Sequence, residues 1–278
     1  MFRRVALAFS KRDPAGSGIA GNLRKLAGEN FSFPDKKCEL IELEREALYL
    51  RDVSQLKGFD YLVVLSKHSG TPNHPIFTAH APGNFGRAKY GGDHFKLSIA
   101  IPSLMKDYLL AVSKRAEAIG YWVGFEPTHH GPTLDMPTAF LEIGCDERAW
   151  SDDIGLRAAA EAVLEALESW KIGKYTAAVA FGGPHINEHF TKVELHTNYA
   201  IGHAMRKLDS DWVDENIIEQ ALSRSSEPVR DAIIDNKGLK GEDRERIEDI
   251  LKRMGVNVLR IKRVLRDNLG SEEGEEEV

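Results

Sequence analysis

Residues 103–125, SLMKDYLLAVSKRAEAIGYWVGF, decide the fold. Residues 104–119 have the apolar spacing of a helix, with Ser103 to start it and Gly120 to stop it, and residues 121–125 behind that glycine read as a strand. The same alternation extends in both directions. Residues 4–9 form a first strand, followed by a Gly-rich turn and a helix over 19–27 with Ile19, Leu23 and Leu26 on one face. Strands are expected near 38–43, 59–66, 139–143 and 175–181, and Asp152 and Asp153 suit the positive start of a helix running to Trp170. Such alternation predicts an α/β fold, a mixed or mostly parallel sheet sandwiched by helices.

From Trp212 onward the pattern is helical, with turns at 225–228 and 237–241 and a basic stretch holding Lys252, Arg253, Arg260, Lys262, Arg263 and Arg266. The expected organisation is therefore an α/β catalytic core over 1–210, a helical, basic extension over 211–270 packed on it, and an acidic, disordered tail over 271–278. No internal repeat is visible.

Of the 278 residues, 42% are hydrophobic and 29% charged, ordinary usage for a folded chain. The longest apolar stretches, 61–65 and 177–181, fall far short of the roughly 20 residues a membrane helix needs. The start, Met1-Phe2-Arg3-Arg4, leads into too brief an apolar run for a signal peptide, so a cytoplasmic protein with no membrane partner is expected. Cys38 and Cys145 form no C-x-x-C pair, which leaves histidines and carboxylates for any metal. Of the net charge of −6, five units come from Glu272, Glu273, Glu275, Glu276 and Glu277, so an anionic partner is not excluded.

Gly16, Gly18 and Gly21 match G-x-G-x-x-G, with Glu39 at about the distance of a ribose-binding acid, but residues 11–15 separate the strand from the first glycine. A plain turn or a phosphate-contacting helix start fits better than a dinucleotide site. The ten histidines all lie between His68 and His203, several of them at apparent strand ends, where open α/β sheets bind ligands. Glu142 shares a strand face with Phe140, and Glu126 follows Val123-Gly124-Phe125. A carboxylate in either place needs a partner or a raised pKa. His185 and His189 sit beside Gly182-Gly183-Pro184 and read as loop. Neither H-E-x-x-H nor G-x-S-x-G occurs, and Cys145 reads as a small buried residue.

The strings Asp13-Pro14-Ala15, Ser66-Lys67-His68-Ser69, Phe77-Thr78-Ala79-His80-Ala81-Pro82-Gly83-Asn84 and Glu126-Pro127-Thr128-His129-His130-Gly131-Pro132-Thr133 resemble, in this order, the archaeal and plant type of D-aminoacyl-tRNA deacylase. So do Phe140-Leu141-Glu142-Ile143-Gly144, Trp150, Gly182-Gly183 with His185, Phe190-Thr191 and Gly202-His203. Lys67, Pro127, Cys145 and Ile186 depart from the pattern, where arginine, alanine, serine and tyrosine are expected. The resemblance implies zinc as cofactor, a fold related to peptidyl-tRNA hydrolases and nucleoside phosphorylases, and hydrolysis of the ester between a D-amino acid and tRNA, with glycine mischarged on tRNA as a further substrate.

On that basis Glu126, His129, His130 and Glu142 are the expected catalytic residues, and His80, His129, His130 and Glu142 the expected metal ligands. Ser66, Lys67, His68, Asn84, Thr128, Thr133 and His185 are the expected substrate contacts. The acceptor end of tRNA is the expected partner of a monomer, its phosphates met by Lys67, Arg87 and Lys89 or by the C-terminal basic stretch. The rival readings are a zinc amidohydrolase or peptidase acting on a small molecule, and an RNA-binding module without catalysis.

Overall fold

The computed structural model describes residues 2–70 and 74–269. Strand β1 (Arg3–Ser10) leads into α1 (Pro14–Ala27), β2 (Asn30–Phe33), β3 (Lys36–Leu43), β4 (Tyr61–Ser69), β5 (Ile76–His80), β6 (Gly83–Asn84) and β7 (Lys96–Leu97). Then come α2 (Pro102–Ala116), β8 (Trp122–Phe125), β9 (Thr138–Cys145), α3 (Glu147–Trp150), α4 (Asp153–Ser169) and β10 (Thr176–Phe181). The chain continues through α5 (Glu188–His196), β11 (Tyr199–Met205), α6 (Glu215–Ser223), β12 (Asp231–Ile234), α7 (Gly241–Arg253), β13 (Asn257–Arg260) and α8 (Ile261–Leu269).

Two main sheets result. The larger has the order β2-β3-β1-β4-β9-β5-β8, and the smaller the order β11-β10-β12-β13. In the larger sheet β3, β1, β4 and β9 run parallel, while β5 is antiparallel to β9 and parallel to β8. Every pairing in the smaller sheet is parallel.

Strand alternation divides the core. Leu7, Leu65, Phe77, Leu141 and Ile143 meet α1, α2 and α4 on one face of the large sheet, whereas Ala6, Ala8, Val64 and Phe140 meet Leu43 at the end of β3 and Ala47, Leu56 and Leu134 from the connecting segments on the other. The smaller sheet has helices on both faces: Val179, Phe181 and Ile234 pack with α6 and α7, and Ala178, Ala180 and Ile201 with the main core.

Several expectations change. Residues 211–269 are not wholly helical, because β12 and β13 extend the sheet begun by β10 and β11, so segments on either side of residue 210 share one sheet. The basic stretch is correspondingly divided among α7, β13 and α8, and Arg260 is occupied with Glu248 and Asn236. The tail over 271–278 lies outside the described residues. Helix α2 starts with Pro102 at its first turn, where the missing N–H costs nothing. Ser103 does not cap it but donates its hydroxyl to Glu227 at 2.5 Å. Gly120 does end the helical run, at φ 70°.

The three glycines of α1 serve no dinucleotide loop. A Cβ on Gly16 would stand 2.3 Å from the Leu65 carbonyl oxygen, and one on Gly18 2.6 Å from Leu156, so these two allow close packing, while Gly21 faces open space.

Candidate active site

The site lies on the large-sheet face opposite α1, α2 and α4, and not along one convergent edge of strand ends. Glu142 on β9 is at its centre, with Ser66 of parallel β4 on one side and Thr78 of antiparallel β5 on the other. The opposed direction of β5 brings its last residue, His80, beside Phe140, their rings stacked 5.1 Å apart. His68 comes from the end of β4, and Glu126 follows β8 directly. Gly144 is required here because a Cβ would meet the His68 carbonyl oxygen at 2.2 Å. Trp150 fixes that same carbonyl, donating Nε1–H to it at 2.8 Å.

Glu126 is fully buried and ringed by imidazoles. Its Oε1 lies 3.0 Å from His68 Nδ1, and its Oε2 lies 2.9 Å from His185 Nε2 and 3.8 Å from His129 Nε2. Glu142 stands 3.8 Å from His68 Nδ1 and 3.7 Å from His80 Nε2. The rings of His80, His129 and His130 are mutually 4.5 to 4.7 Å apart, and His185 lies 4.5 Å from His129.

The two carboxyls are driven apart. Burial opposes ionisation of Glu126, but His68 and His185 more than compensate and hold it well below the usual carboxylate range. Burial and then the nearby Glu126 charge push Glu142 well above that range. For His68 burial acts downward, yet Glu126 and Glu142 bring it up to about 9. Burial lowers His80 to about 4 and His130 to about 3, and holds His129 well below its ordinary value. At neutral pH the result is an ionised Glu126, a cationic His68 and three neutral imidazoles, beside a Glu142 that holds its proton more tightly than an ordinary carboxyl.

The neutral trio fits a metal ion. Nδ1 of His80, His129 and His130 each meets a backbone carbonyl, of Ala81 at 3.2 Å, Pro127 at 2.7 Å and Gly131 at 2.6 Å. That places the ring proton on Nδ1 and leaves Nε2 as a free lone pair, the arrangement by which proteins orient metal-binding histidines. His80 Nε2 is buried with no hydrogen-bond partner. Sets of ligand atoms within 4.8 Å of one another are His80, His129 and His130; His68, Glu126 and His185; and His80, Glu126 and Glu142.

Other residues singled out from the sequence take supporting places. Ser66 donates to Asp13 at 3.0 Å, and Lys67 reaches Glu46 at 2.6 Å. Asn84 donates to the carbonyls of Gly91 and Asp93, and Thr133 accepts from Asp93 N–H at 2.9 Å, so this pair braces a loop and is not drawn into the histidine cluster. Thr128 meets His203. His185 does lie in a loop, but His189 begins on α5 and pairs with Asp235 at 3.5 Å.

Three contributors had no role assigned to them from the sequence. Asp13 caps α1 and also accepts from Ser66 and Lys67, tying the helix start to β4. Its place in a motif string was the available signal. Thr78, opposite Glu142, has a buried hydroxyl without a partner. Glu46 helps to wall a cavity of about 40 Å³ that also touches Asp13, Ser66, His130 and Glu142, room for a water or two.

Together these features define a class: an α/β protein that buries a histidine and carboxylate centre, able to hold a metal ion and to move protons, on one face of a mixed sheet. A family model described as D-aminoacyl-tRNA deacylase matches residues 56–259. A D-aminoacyl-tRNA deacylase of Korarchaeum cryptofilum (strain OPF8) is 71% identical over 276 residues, covering 99% of this chain and 100% of the relative. One of Ignicoccus hospitalis is 36% identical over 92% of this chain and 99% of its own length. This chain belongs to the D-aminoacyl-tRNA deacylase family. Its fold matches the crystal structure of a conserved protein of unknown function, AF0625, with TM-score 0.87 and 28% identity, covering 96% of this chain and 98% of that one.

Proposed function

We propose that this protein hydrolyses the ester that joins a D-amino acid to the terminal ribose of tRNA, releasing the amino acid and intact tRNA, with zinc held by His80, His129 and His130. Membership of the family supports the substrate. The observation that carries the chemistry is the placing of two buried carboxyls in one imidazole cluster, Glu126 drawn towards ionisation by His68 and His185 and Glu142 towards its protonated form by burial and by Glu126.

Hydrolysis needs a base for the attacking water and an acid for the departing ribose oxygen. Glu126, ionised and near His129 and His185, is the base. Glu142, whose proton burial and Glu126 help to retain, is the acid. As water adds to the ester carbonyl, Glu126 takes its proton; as the bond to ribose breaks, Glu142 gives its proton to the ribose oxygen. His68 keeps Glu126 ionised despite burial, and Asp13 and Ser66 hold the end of β4 that carries His68. The imidazoles of His80, His129 and His130 would hold a zinc ion, which would supply Lewis acidity to the attacking water. Discrimination between enantiomers rests on steric exclusion of the L side chain, since both present the same ester.

The test is single-turnover deacylation of D-tyrosyl-tRNA by protein as purified, after chelator treatment, and after zinc is restored. Loss and recovery of activity are expected. Full activity in protein shown by elemental analysis to lack transition metals would overturn the zinc assignment.

A further inference from the structure

We propose that the open cavity between Arg12, Arg45, Tyr49 and Arg51 is the binding site for the single-stranded 3′ end of RNA, taking the nucleotides next to the esterified one. This rests on the reaction proposed above, but it concerns residues that no motif contains. The cavity has a volume of about 550 Å³, within the range of about 300–1,000 Å³ typical of ligand clefts.

Its position follows from shared walls. Glu46 lines both this cavity and the 40 Å³ one that reaches His130 and Glu142. Arg12 immediately precedes Asp13, which lines that smaller cavity. Gly91 and Gly92 form the opposite wall at φ 65° and 72°. A Cβ on Gly91 would lie 1.8 Å from the Leu48 carbonyl oxygen, and one on Gly92 2.9 Å from Gly131 Cα. Only glycine lets this wall press against both the Tyr49 segment and the loop that carries His129 and His130.

The chemistry of the lining selects the ligand. Glu46 is neutralised by Lys67 at 2.6 Å, so the guanidiniums set the charge. Arg51 meets Asp93 at 3.2 Å, while Arg12 and Arg45, both exposed, have no ion pair among the described residues. Tyr49 beside them is 50% exposed. Guanidiniums match phosphate oxygens in a two-pronged fashion, and an aromatic face stacks on any base, the pairing that single-strand binders use. The exposed face of α8 offers less, since Arg263 and Arg266 share Asp267 at 3.4 and 3.6 Å.

The experiment is fluorescence anisotropy with the full chain and a fluorescein-labelled single-stranded RNA of sequence ACCA, the 3′ end of a tRNA, over a salt series. R12A/R45A is expected to weaken binding about tenfold or more at low salt and to reduce the slope of log affinity against log salt by about 1.4, two single-strand phosphate contacts. Tyr49→Ala is expected to weaken it about tenfold, and Tyr49→Phe to retain it. No binding by the unaltered protein, an unchanged slope in R12A/R45A, or a larger loss in K262A/R263A/R266A overturns the proposal. Because the probe carries no ester, the two readings fail separately. Loss of binding in R12A/R45A without deacylation of D-tyrosyl-tRNA by the unaltered protein sinks the reaction and keeps the cavity. Stereoselective deacylation with intact R12A/R45A binding does the reverse.

Discussion

Thr128 Oγ1 lies 2.9 Å from Nδ1 of His203, while Nε2 of that buried ring lies 2.9 Å from the Ser98 carbonyl oxygen and 3.1 Å from that of Arg224. Two carbonyl acceptors place the proton on Nε2, so Thr128 donates to Nδ1. Thr128 also donates its backbone N–H to Ala204 at 2.9 Å. The loop bearing His129 and His130 is thereby fastened to β11 of the smaller sheet.

Thr128→Val removes the donor and leaves His203 Nδ1 buried without a partner, which costs about 1–3 kcal/mol. Urea unfolding should register that loss and should show much less for Thr128→Ser. Because the imidazole trio moves with the loop, zinc affinity by competition with a chromogenic chelator should fall in the valine variant and recover in the serine one. Equal stability of the valine variant and the parent would show that the contact does not hold the loop.

Stability should depend on pH in two separate windows when the protein is metal-free. His68 is raised to about 9, so its contribution is complete below about pH 6.5 and is lost as pH rises through 9. His130 is lowered to about 3, so its neutral form contributes fully above about pH 6.5 and the contribution is lost as pH falls toward 3, at up to about 1.4 kcal/mol per unit. The stability difference between the parent and His68→Asn should therefore change only in the alkaline window, and that for His130→Asn only in the acid one. Flat differences in both would contradict the assigned charge states.

Glu126→Gln deletes the ionised carboxylate without changing its size, and single-turnover deacylation at saturating enzyme should fall by about 100-fold or more. Glu142→Gln keeps a neutral, hydrogen-bearing group but cannot surrender a proton. Its rate should also fall by about 100-fold. Near-parental rates in well-folded variants would remove the two residues from the acid and base roles.

Much of this arrangement was legible in the chain. Long, strongly patterned elements such as α2, α4 and β9 are close to their expected bounds, and the paired histidines and glutamates of the motif strings do converge. The smaller sheet was not legible, because β12 and β13 have four residues each and sit between amphipathic helices, too short for a period of two to stand out. Nor was the face of the site. It depends on β5 and β8 running against β9, a pairing that leaves no local trace, and it turns a set of strand ends into a cluster over the middle of the sheet. Asn84 and Thr133 carry the right chemistry for substrate contacts, but their partners, separated from them by 7 to 40 positions, make them braces.

The proposed reaction is stereoselective hydrolysis of an aminoacyl ester on tRNA at the histidine and glutamate centre. Its most direct measurement compares single-turnover deacylation of D-tyrosyl-tRNA and L-tyrosyl-tRNA by the zinc-loaded protein, with His129→Ala alongside as a folded control. Rapid loss of the D ester, a far slower loss of the L ester, and at least a 100-fold lower rate on the D ester for the variant are expected. Equal rates on the two enantiomers, or an undiminished rate in His129→Ala, would contradict the proposed reaction.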